Sequence, residues 1–270
     1  MATPEDAVAR YYDANTRRFL ARGEGGRTGA LHRAVWGEGV SDLASAFHFT
    51  ADLVLREIGA SGTSRPRILD LGCGIGATLL HLLARREAEG FGITLSGRQY
   101  RLALSRGGAA FFQGDFCRDP LPADLDLAYG IESFVHAADA RAFFENVAGA
   151  LRPGGCLVLV DDFLAAGRSE ERWLRDFRWG WHAASLMTAS ETDRLAASAG
   201  LFLSSDRDLT PHIDVDRPRD RVLAALLPAV RPLLPDVPLV RALVGGDALR
   251  KCLKIGLIEY RCRVWKKADA

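Results

Sequence analysis

Glycines at alternate positions follow an apolar run, RILDL, at residues 67–71. The run is typical of a buried strand with Asp70 near its end, and Gly72, Gly74 and Gly76 precede a helical pattern. Glycines let the backbone turn sharply and let a ligand approach main-chain N–H groups. The pattern therefore predicts a small-molecule site where this strand ends. A dinucleotide site is the alternative, although its GxGxxG motif needs a different glycine spacing.

A second group of reactive side chains follows the predicted fourth strand, DLDLAYGIE, at residues 124–132. Glu132 and His136 are four residues apart, so a helical turn would stack them on one face. Such a pair could remove a proton from a phenol or enol, or the carboxylate could stabilise a carbocation. We therefore predict that Glu132 and His136 are catalytic. A loop-capping glutamate and a packed histidine are the structural alternatives.

The segment LDLGCGIG resembles the first motif of class I S-adenosylmethionine (SAM)-dependent methyltransferases, and the resemblance extends over about residues 66–200. It implies that the glycine turn holds the amino-acid end of SAM. After the second strand, many members carry an acid for the ribose, whereas this chain has Thr94-Leu95-Ser96 and Gln99. That variant is similar to the branch of sterol, cyclopropane-fatty-acid and other small-molecule methyltransferases. In that branch Thr94 and Gln99 would contact the ribose.

The same resemblance implies a set of cofactor-binding residues. Asp115 and Phe116 would lie at the adenine, and Tyr11 or Tyr12 would reach the SAM carboxylate. The full set is Tyr11, Asp70, Gly72, Cys73, Gly74, Thr94, Leu95, Gln99, Asp115, Phe116 and Ile131.

Two aromatic segments are candidates for contact with the acceptor. Tyr11-Tyr12-Asp13 together with the segment at 32–37, HRAVWG, resembles the cap of the same branch, which folds over SAM and excludes water. The segment at 172–182 is rich in aromatic residues and arginines, which suit a hydrophobic acceptor, a cation or a phosphate. The predicted substrate contacts are His32, Trp36, Trp181 and His182. A core pair of His32 with Trp36 and a solvated amphipathic helix are the alternatives.

Strands alternate with helices from residue 66 onward, which predicts a parallel sheet with right-handed crossovers. We expect an α/β, Rossmann-like fold: a seven-stranded, mostly parallel sheet with helices on both faces. Residues 1–60 would form an N-terminal helical cap, and residues 61–270 the SAM-binding core. A helical insert at about 211–250, before the last strand, would be a lid over the acceptor or a dimer interface. Its prolines predict short helices broken by turns.

Composition excludes several classes of partner. Lys and Arg total 35 against 34 for Asp and Glu, which leaves no basic footprint for nucleic acid. The sequence contains no run of 18 apolar residues, so we expect no membrane span, and the N-terminal segment is too polar for a signal peptide. The five cysteines are scattered without zinc-like spacing, so we expect no bound metal and a cytoplasmic location. A homodimer remains open.

These observations predict a SAM-dependent methyltransferase with a small-molecule acceptor, SAM as cofactor and S-adenosylhomocysteine (SAH) as product. We favour C-methylation of a hydrophobic, isoprenoid-like or polyketide-like specialised metabolite. The alternative is O- or N-methylation of an aromatic natural product. Mg²⁺ would be needed only for a diphosphate acceptor. Two other classes are a nicotinamide oxidoreductase and a SAM-binding protein without transferase activity, such as a cyclase or a sensor.

Overall fold

The computed structural model describes residues 3–22, 28–60, 62–167, 171–215, 220, 225–227 and 235–269. In these residues a seven-stranded sheet has the order β3-β2-β1-β4-β5-β7-β6. The strands β1 to β5 pair in parallel, and β7 runs antiparallel to both β5 and β6. The strands are β1 (Arg67–Leu71), β2 (Glu89–Thr94), β3 (Ala110–Gln113), β4 (Leu125–Ile131), β5 (Leu151–Leu164), β6 (Leu201–Asp208) and β7 (Ile258–Lys267).

Helices cover both faces of the sheet, as the alternating pattern predicts. Their bounds are α1 (Pro4–Arg22), α2 (Leu43–Ala60), α3 (Ala77–Leu83), α4 (Gly97–Arg106), α5 (Ala140–Ala150), α6 (Arg172–Trp181), α7 (Ala189–Ser198) and α8 (Pro238–Lys254). One core cluster takes buried side chains from α2, α3, α4, α6 and α8, whereas a second takes them from α5 and α7. The expected mostly parallel, Rossmann-like sheet with helices on both faces is therefore confirmed.

The insert before the last strand differs from the pattern of short broken helices. Pro238 occupies the first turn of α8, and the helix continues without a break for 17 residues. Proline is tolerated at a helix start because the N–H that it lacks would have no partner there. Pro228 and Pro232 lie outside the described residues. The insert is thus, in its described C-terminal part, one long helix.

Two helices of this region pack together at a glycine contact. A Cβ added to Gly245 of α8 would lie 2.3 Å from the ring of Trp181 and 3.0 Å from the backbone of Gly180, both in α6. The indole Nε1 of Trp181 donates to the carbonyl of Ala242 at 3.2 Å. This close crossing fixes where Trp181 stands.

The order of strands reverses between β1 and β4, which are neighbours in the sheet. In open α/β sheets, ligands bind in the crevice outside the carboxyl ends of the strands at such a reversal. None of the described helices is long and apolar enough to cross a bilayer. Each of the five cysteines is buried with a free thiol.

Candidate active site

A cavity of about 740 Å³ lies at the carboxyl ends of β1, β2 and β4, with α1 and α8 in its walls. This volume falls within the range of roughly 300–1,000 Å³ that is usual for small-molecule sites. Most of the predicted site residues line it: Tyr11, Asp70, Gly72, Cys73, Gly74, Thr94, Leu95, Gln99, Phe116, Ile131, Glu132, His136, His32 and Trp181. The chain therefore brings the cofactor candidates and the catalytic candidates to one space.

The glycine turn after β1 has the backbone that the sequence pattern requires. Gly72 has φ of 87°, and a Cβ there would lie 2.5 Å from the side chain of Ser133. The N–H groups of Gly72 and Cys73 both donate to the carbonyl of Ile93 at 2.9 Å. The turn is thus held against β2, with no room for a larger residue at its first position.

Asp70 is buried at the end of β1 and lines the cavity. The hydroxyl of Tyr129 donates to its Oδ2 at 2.7 Å. Burial raises the pKa of Asp70 to about 7, although the hydrogen bond from Tyr129 acts in the opposite direction. A cationic ligand group beside this carboxyl would favour its ionised form. Asp70 can therefore hold an ammonium.

Thr94 and Gln99 form a buried polar pair in the cavity wall, where β2 ends and α4 begins. The Thr94 hydroxyl donates to Oε1 of Gln99 at 2.9 Å. Ser96 caps α4 by accepting from the N–H of Gln99 at 3.1 Å, which fixes where that helix begins. The pair is well placed to exchange hydrogen bonds with ligand hydroxyls.

His136 lies in a short 3₁₀ turn, Phe134–His136, after β4. Its Nε2 lies 2.8 Å from the hydroxyl of Tyr12, and its Nδ1 lies 3.4 Å from the carbonyl of His182. Burial lowers the pKa of His136 to about 4, so the ring is neutral at physiological pH. Because a carbonyl can only accept, Nδ1 carries the proton and Nε2 accepts from Tyr12. A neutral imidazole with this tautomer can act as a base at Nε2.

Glu132 does not stack on His136, contrary to the expectation from their spacing. Its backbone has φ of 52°, a left-handed conformation that interrupts any helical turn. Its Oε1 accepts from the N–H of Arg33 at 2.8 Å, from Nε of Arg33 at 3.0 Å and from the Tyr260 hydroxyl at 2.9 Å. Burial would raise the pKa of Glu132, but Arg33 more than offsets it, and the net pKa is lowered.

Arg33, which is not among the residues predicted from the sequence, pairs with two acids in the site. Its Nη2 lies 2.8 Å from Oδ2 of Asp162, and its guanidinium lies 4.1 Å from the ring centre of Tyr260. Burial raises the pKa of Asp162 more than Arg33 lowers it, and the net value is about 6. Burial also raises the pKa of the neighbouring Asp161, to about 8. Asp161 and Asp162 follow an apolar run in β5, and this pattern could have indicated a nearby cation, since buried carboxylates require one.

Three predicted residues are not among those that line the cavity. Asp115 uses Oδ1 to accept from the N–H of Cys117 at 2.9 Å, which closes its own turn. Trp36 is 40% exposed. His182 ends α6 in a left-handed conformation and packs edge-on against Tyr11, with ring centres 5.6 Å apart. Tyr11 lines the cavity, whereas His182 does not.

Residues 68–155 match the family described as a methyltransferase domain. Among curated proteins, an O-methyltransferase of Aspergillus nomiae is 34% identical over 149 residues, which cover 52% of this chain. The chain spans 65% of that relative's length, just under two thirds.

Solved structures resemble the whole chain at low sequence identity. A geranyl diphosphate methyltransferase in complex with GPP and sinefungin has a TM-score of 0.77 at 18% identity, covering 99% of both chains. The 4+2 cyclase SpnF has a TM-score of 0.75 at 20% identity, covering 99% of this chain and 97% of its own. Residues 68–155 therefore match a methyltransferase domain in sequence, and the chain shares the fold of these solved structures.

Proposed function

We propose that this protein transfers the methyl group of SAM to a hydroxyl oxygen of a small, uncharged, largely apolar acceptor. The observation that carries the proposal is that the glycine turn after Asp70 and the neutral imidazole of His136 line the same cavity. Methyl transfer needs a donor and an acceptor held in contact and away from water. Orientation of this kind can lower a barrier by roughly 7–11 kcal/mol.

Each part of the cofactor has a matching feature in the walls. The turn at Gly72 and Gly74 would receive the amino-acid end, with Asp70 facing the ammonium. Thr94 and Gln99 would bond the ribose hydroxyls, and Phe116 would contact the adenine. When bound, SAM supplies a reactive methyl group on a sulfonium and is converted to SAH.

Tyr12 and His136 would move the proton that the acceptor loses. An acceptor hydroxyl that bonds to the Tyr12 hydroxyl can pass its proton to Tyr12 as Tyr12 gives its own to Nε2 of His136. The acceptor oxygen gains electron density as it loses the proton, and it forms the new bond to the methyl carbon. Proton transfer of this kind contributes about 10²–10⁴-fold to a rate.

The walls of the cavity favour an acceptor without negative charge. Apolar side chains from α1, α6 and α8 surround the acceptor space, among them Phe19, Trp181 and Leu243. Among the residues that the structure describes in the cavity walls, acids outnumber arginines: Asp70, Glu132, Asp162, Asp214, Asp220 and Asp247 against Arg18, Arg33 and Arg250. Arg33 already pairs with Glu132 and Asp162, and Arg250 with Asp247. A diphosphate would meet more repulsion than attraction from these described residues, so we do not favour a Mg²⁺-dependent acceptor.

We further propose that the α1 region, within residues 1–60, caps a core of residues 61–270, and that α8 belongs to a lid at about 211–250. The side chains of Tyr12 on α1 and Leu243 on α8 both line the cavity, which supports this division. An acceptor would then be enclosed between them.

C-methylation is the second candidate. Glu132 lines the cavity, and the contacts to Arg33 and Tyr260 all use Oε1, so they leave Oε2 for an acceptor. A carboxylate in that position could stabilise a carbocation formed when an alkene takes the methyl group. The name of the A. nomiae relative and the neutral Tyr12–His136 pair favour oxygen.

The test is an incubation of the purified protein with methyl-labelled SAM and two acceptor panels, phenols or enols and isoprenoid alkenes. Label found on oxygen, lost in His136→Asn and kept in Glu132→Gln, would support O-methylation. Label on carbon, lost in Glu132→Gln, would support the second candidate. Calorimetric SAH binding without transfer to either panel would point to a non-transferring relative such as a cyclase. No SAH binding would refute the proposal.

A further inference from the structure

Helix α1 is fastened to the cofactor side of the site by Asp13. Oδ1 of Asp13 accepts hydrogen bonds from the Ser96 hydroxyl and, at 3.0 Å, from the N–H of Arg98. Both donors belong to the first turn of α4, where Ser96 is the capping residue. The carboxylate therefore sits at a helix N-terminus, where negative charge is favoured.

The contact continues from Asp13 to the polar pair proposed for the ribose. Ser96 gives its one hydroxyl proton to Asp13 and accepts from the N–H of Gln99 at 3.1 Å. Gln99 in turn accepts from Thr94 at 2.9 Å. Both Ser96 and Gln99 are buried, so this chain of bonds has little competition from water.

The residue next to Asp13 in α1 is Tyr12, which contacts His136 at 2.8 Å. Three residues further along the same helix, the amide of Asn15 donates to the carbonyl of Pro238 at 3.2 Å, where α8 begins. Helix α1 thus links the cofactor half, the proposed base and the lid within four residues of its own sequence. A shift of α1 relative to α4 would move Tyr12 relative to His136.

We infer that Asp13 is a positioning residue: by holding α1 on Ser96, it aligns Gln99 for the cofactor and Tyr12 for His136. This rests on the proposed function, because it takes Gln99 as a cofactor contact and His136 as the base. Asp13 itself lies outside the residues that line the cavity. It acts through Ser96 and through the backbone of α1.

The test begins with Asp13→Ala, which removes the contact and gives α1 a better helix former. We expect SAH affinity to fall by about tenfold or more, since hydrogen bonds to a charged group are among the stronger ones. We also expect the turnover at saturating SAM to fall, because Tyr12 is no longer held. A purely structural role would lower the unfolding temperature and leave the affinity and the turnover of the folded protein unchanged.

A second part of the experiment tests the same contact by placing a negative charge beside Asp13. Ser96→Asp keeps a good helix cap but places two carboxylates together, so it should weaken SAH binding as Asp13→Ala does. Adding Asp13→Asn to Ser96→Asp should restore binding to within about threefold of the wild type, because the amide can donate to the new carboxylate. The control is Asp6→Asn, which weakens the cap of the same helix at Thr3 without touching α4.

The outcomes separate the inference from the proposed function. SAH binding and turnover unchanged in Asp13→Ala would overturn the role of Asp13 while leaving the proposed function intact. Failure of the double variant to recover, with Asp6→Asn equally impaired, would reduce Asp13 to general stabilisation of α1 and would also overturn the inference. Absence of SAH binding by the wild type would refute both.

Discussion

Replacing Arg33 with methionine would leave two carboxylates, Glu132 and Asp162, buried without their cation. The side chains of all three are at most 12% exposed, so water cannot substitute for the guanidinium. Removing one partner of a buried ion pair costs about 3–5 kcal/mol of unfolding free energy. Methionine keeps most of the side-chain volume, so the loss of unfolding free energy measures the removal of the charge and not the creation of a cavity. We expect a loss of this size at pH 8.

The contribution of Glu132 to the unfolding free energy changes with pH in opposite directions in the wild type and in Arg33→Met. Arg33 holds the pKa of Glu132 below its ordinary value, so in the wild type this contribution to stability is present above the unfolded pKa and is lost as the pH falls. In Arg33→Met, burial raises the pKa of Glu132 and leaves that of Asp162 above the value of about 6 that it has beside Arg33. Stability of the variant is therefore lost as the pH rises. The difference between the two proteins should shrink markedly from pH 8 to pH 5.

Urea unfolding followed by tryptophan fluorescence at both pH values measures this difference. The matched control is Arg141→Met, since Arg141 forms an exposed ion pair with Glu145 at 3.8 Å. Such pairs contribute at most about 1 kcal/mol. An Arg33→Met loss below 1 kcal/mol, or one of equal size at pH 5 and pH 8, would show that the buried cluster does not depend on this cation.

Other predictions concern single side chains. His136→Asn should lower the turnover by about 10²–10⁴-fold with SAH affinity retained. Because the pKa of His136 is about 4, wild-type activity should persist down to about pH 5, and a loss of activity centred near pH 6.5 would contradict this role. Gly245→Ala should force Trp181 to move, costing about 1–3 kcal/mol and altering acceptor KM more than SAH affinity, whereas equal changes in both would argue against a role in acceptor selection. His81 stacks on His48 with ring centres 3.7 Å apart, and burial first, then the charge of His48, lowers its pKa to about 4. The melting temperature of the wild type should therefore fall, relative to that of His81→Phe, as the pH drops from 6.5 toward 4. Melting temperatures that change equally with pH in the two proteins would refute this.

The sequence predicts those parts of the molecule that depend on local backbone demands. Alternate glycines after an apolar run specify the turn at Gly72 because a side chain there would collide with Ser133. The alternation of strands and helices specifies the layers of the sheet for the same local reason. These features depend on residues close together in the chain.

The arrangement of the polar site depends on contacts that are distant in sequence, and the sequence predicts it less well. Glu132 meets Arg33 across 99 residues, and nothing local indicates the left-handed backbone that turns Glu132 away from His136. The prolines of the insert, read as one group, predict a broken helix, whereas Pro238 lies in the first turn of α8, where a helix accepts a proline. Homodimer formation and cytoplasmic location stay predictions.

The position of β7 between β5 and β6 has a consequence for synthesis and truncation. β6 enters the sheet through β7 alone, although it is made some 50 residues earlier. Until β7 has emerged from the ribosome, the edge of β5 presents unpaired N–H and C=O groups to other chains. A chain cut ahead of Ile258 would keep that open edge permanently, and we expect it to aggregate even though every residue of the proposed SAM site is still present.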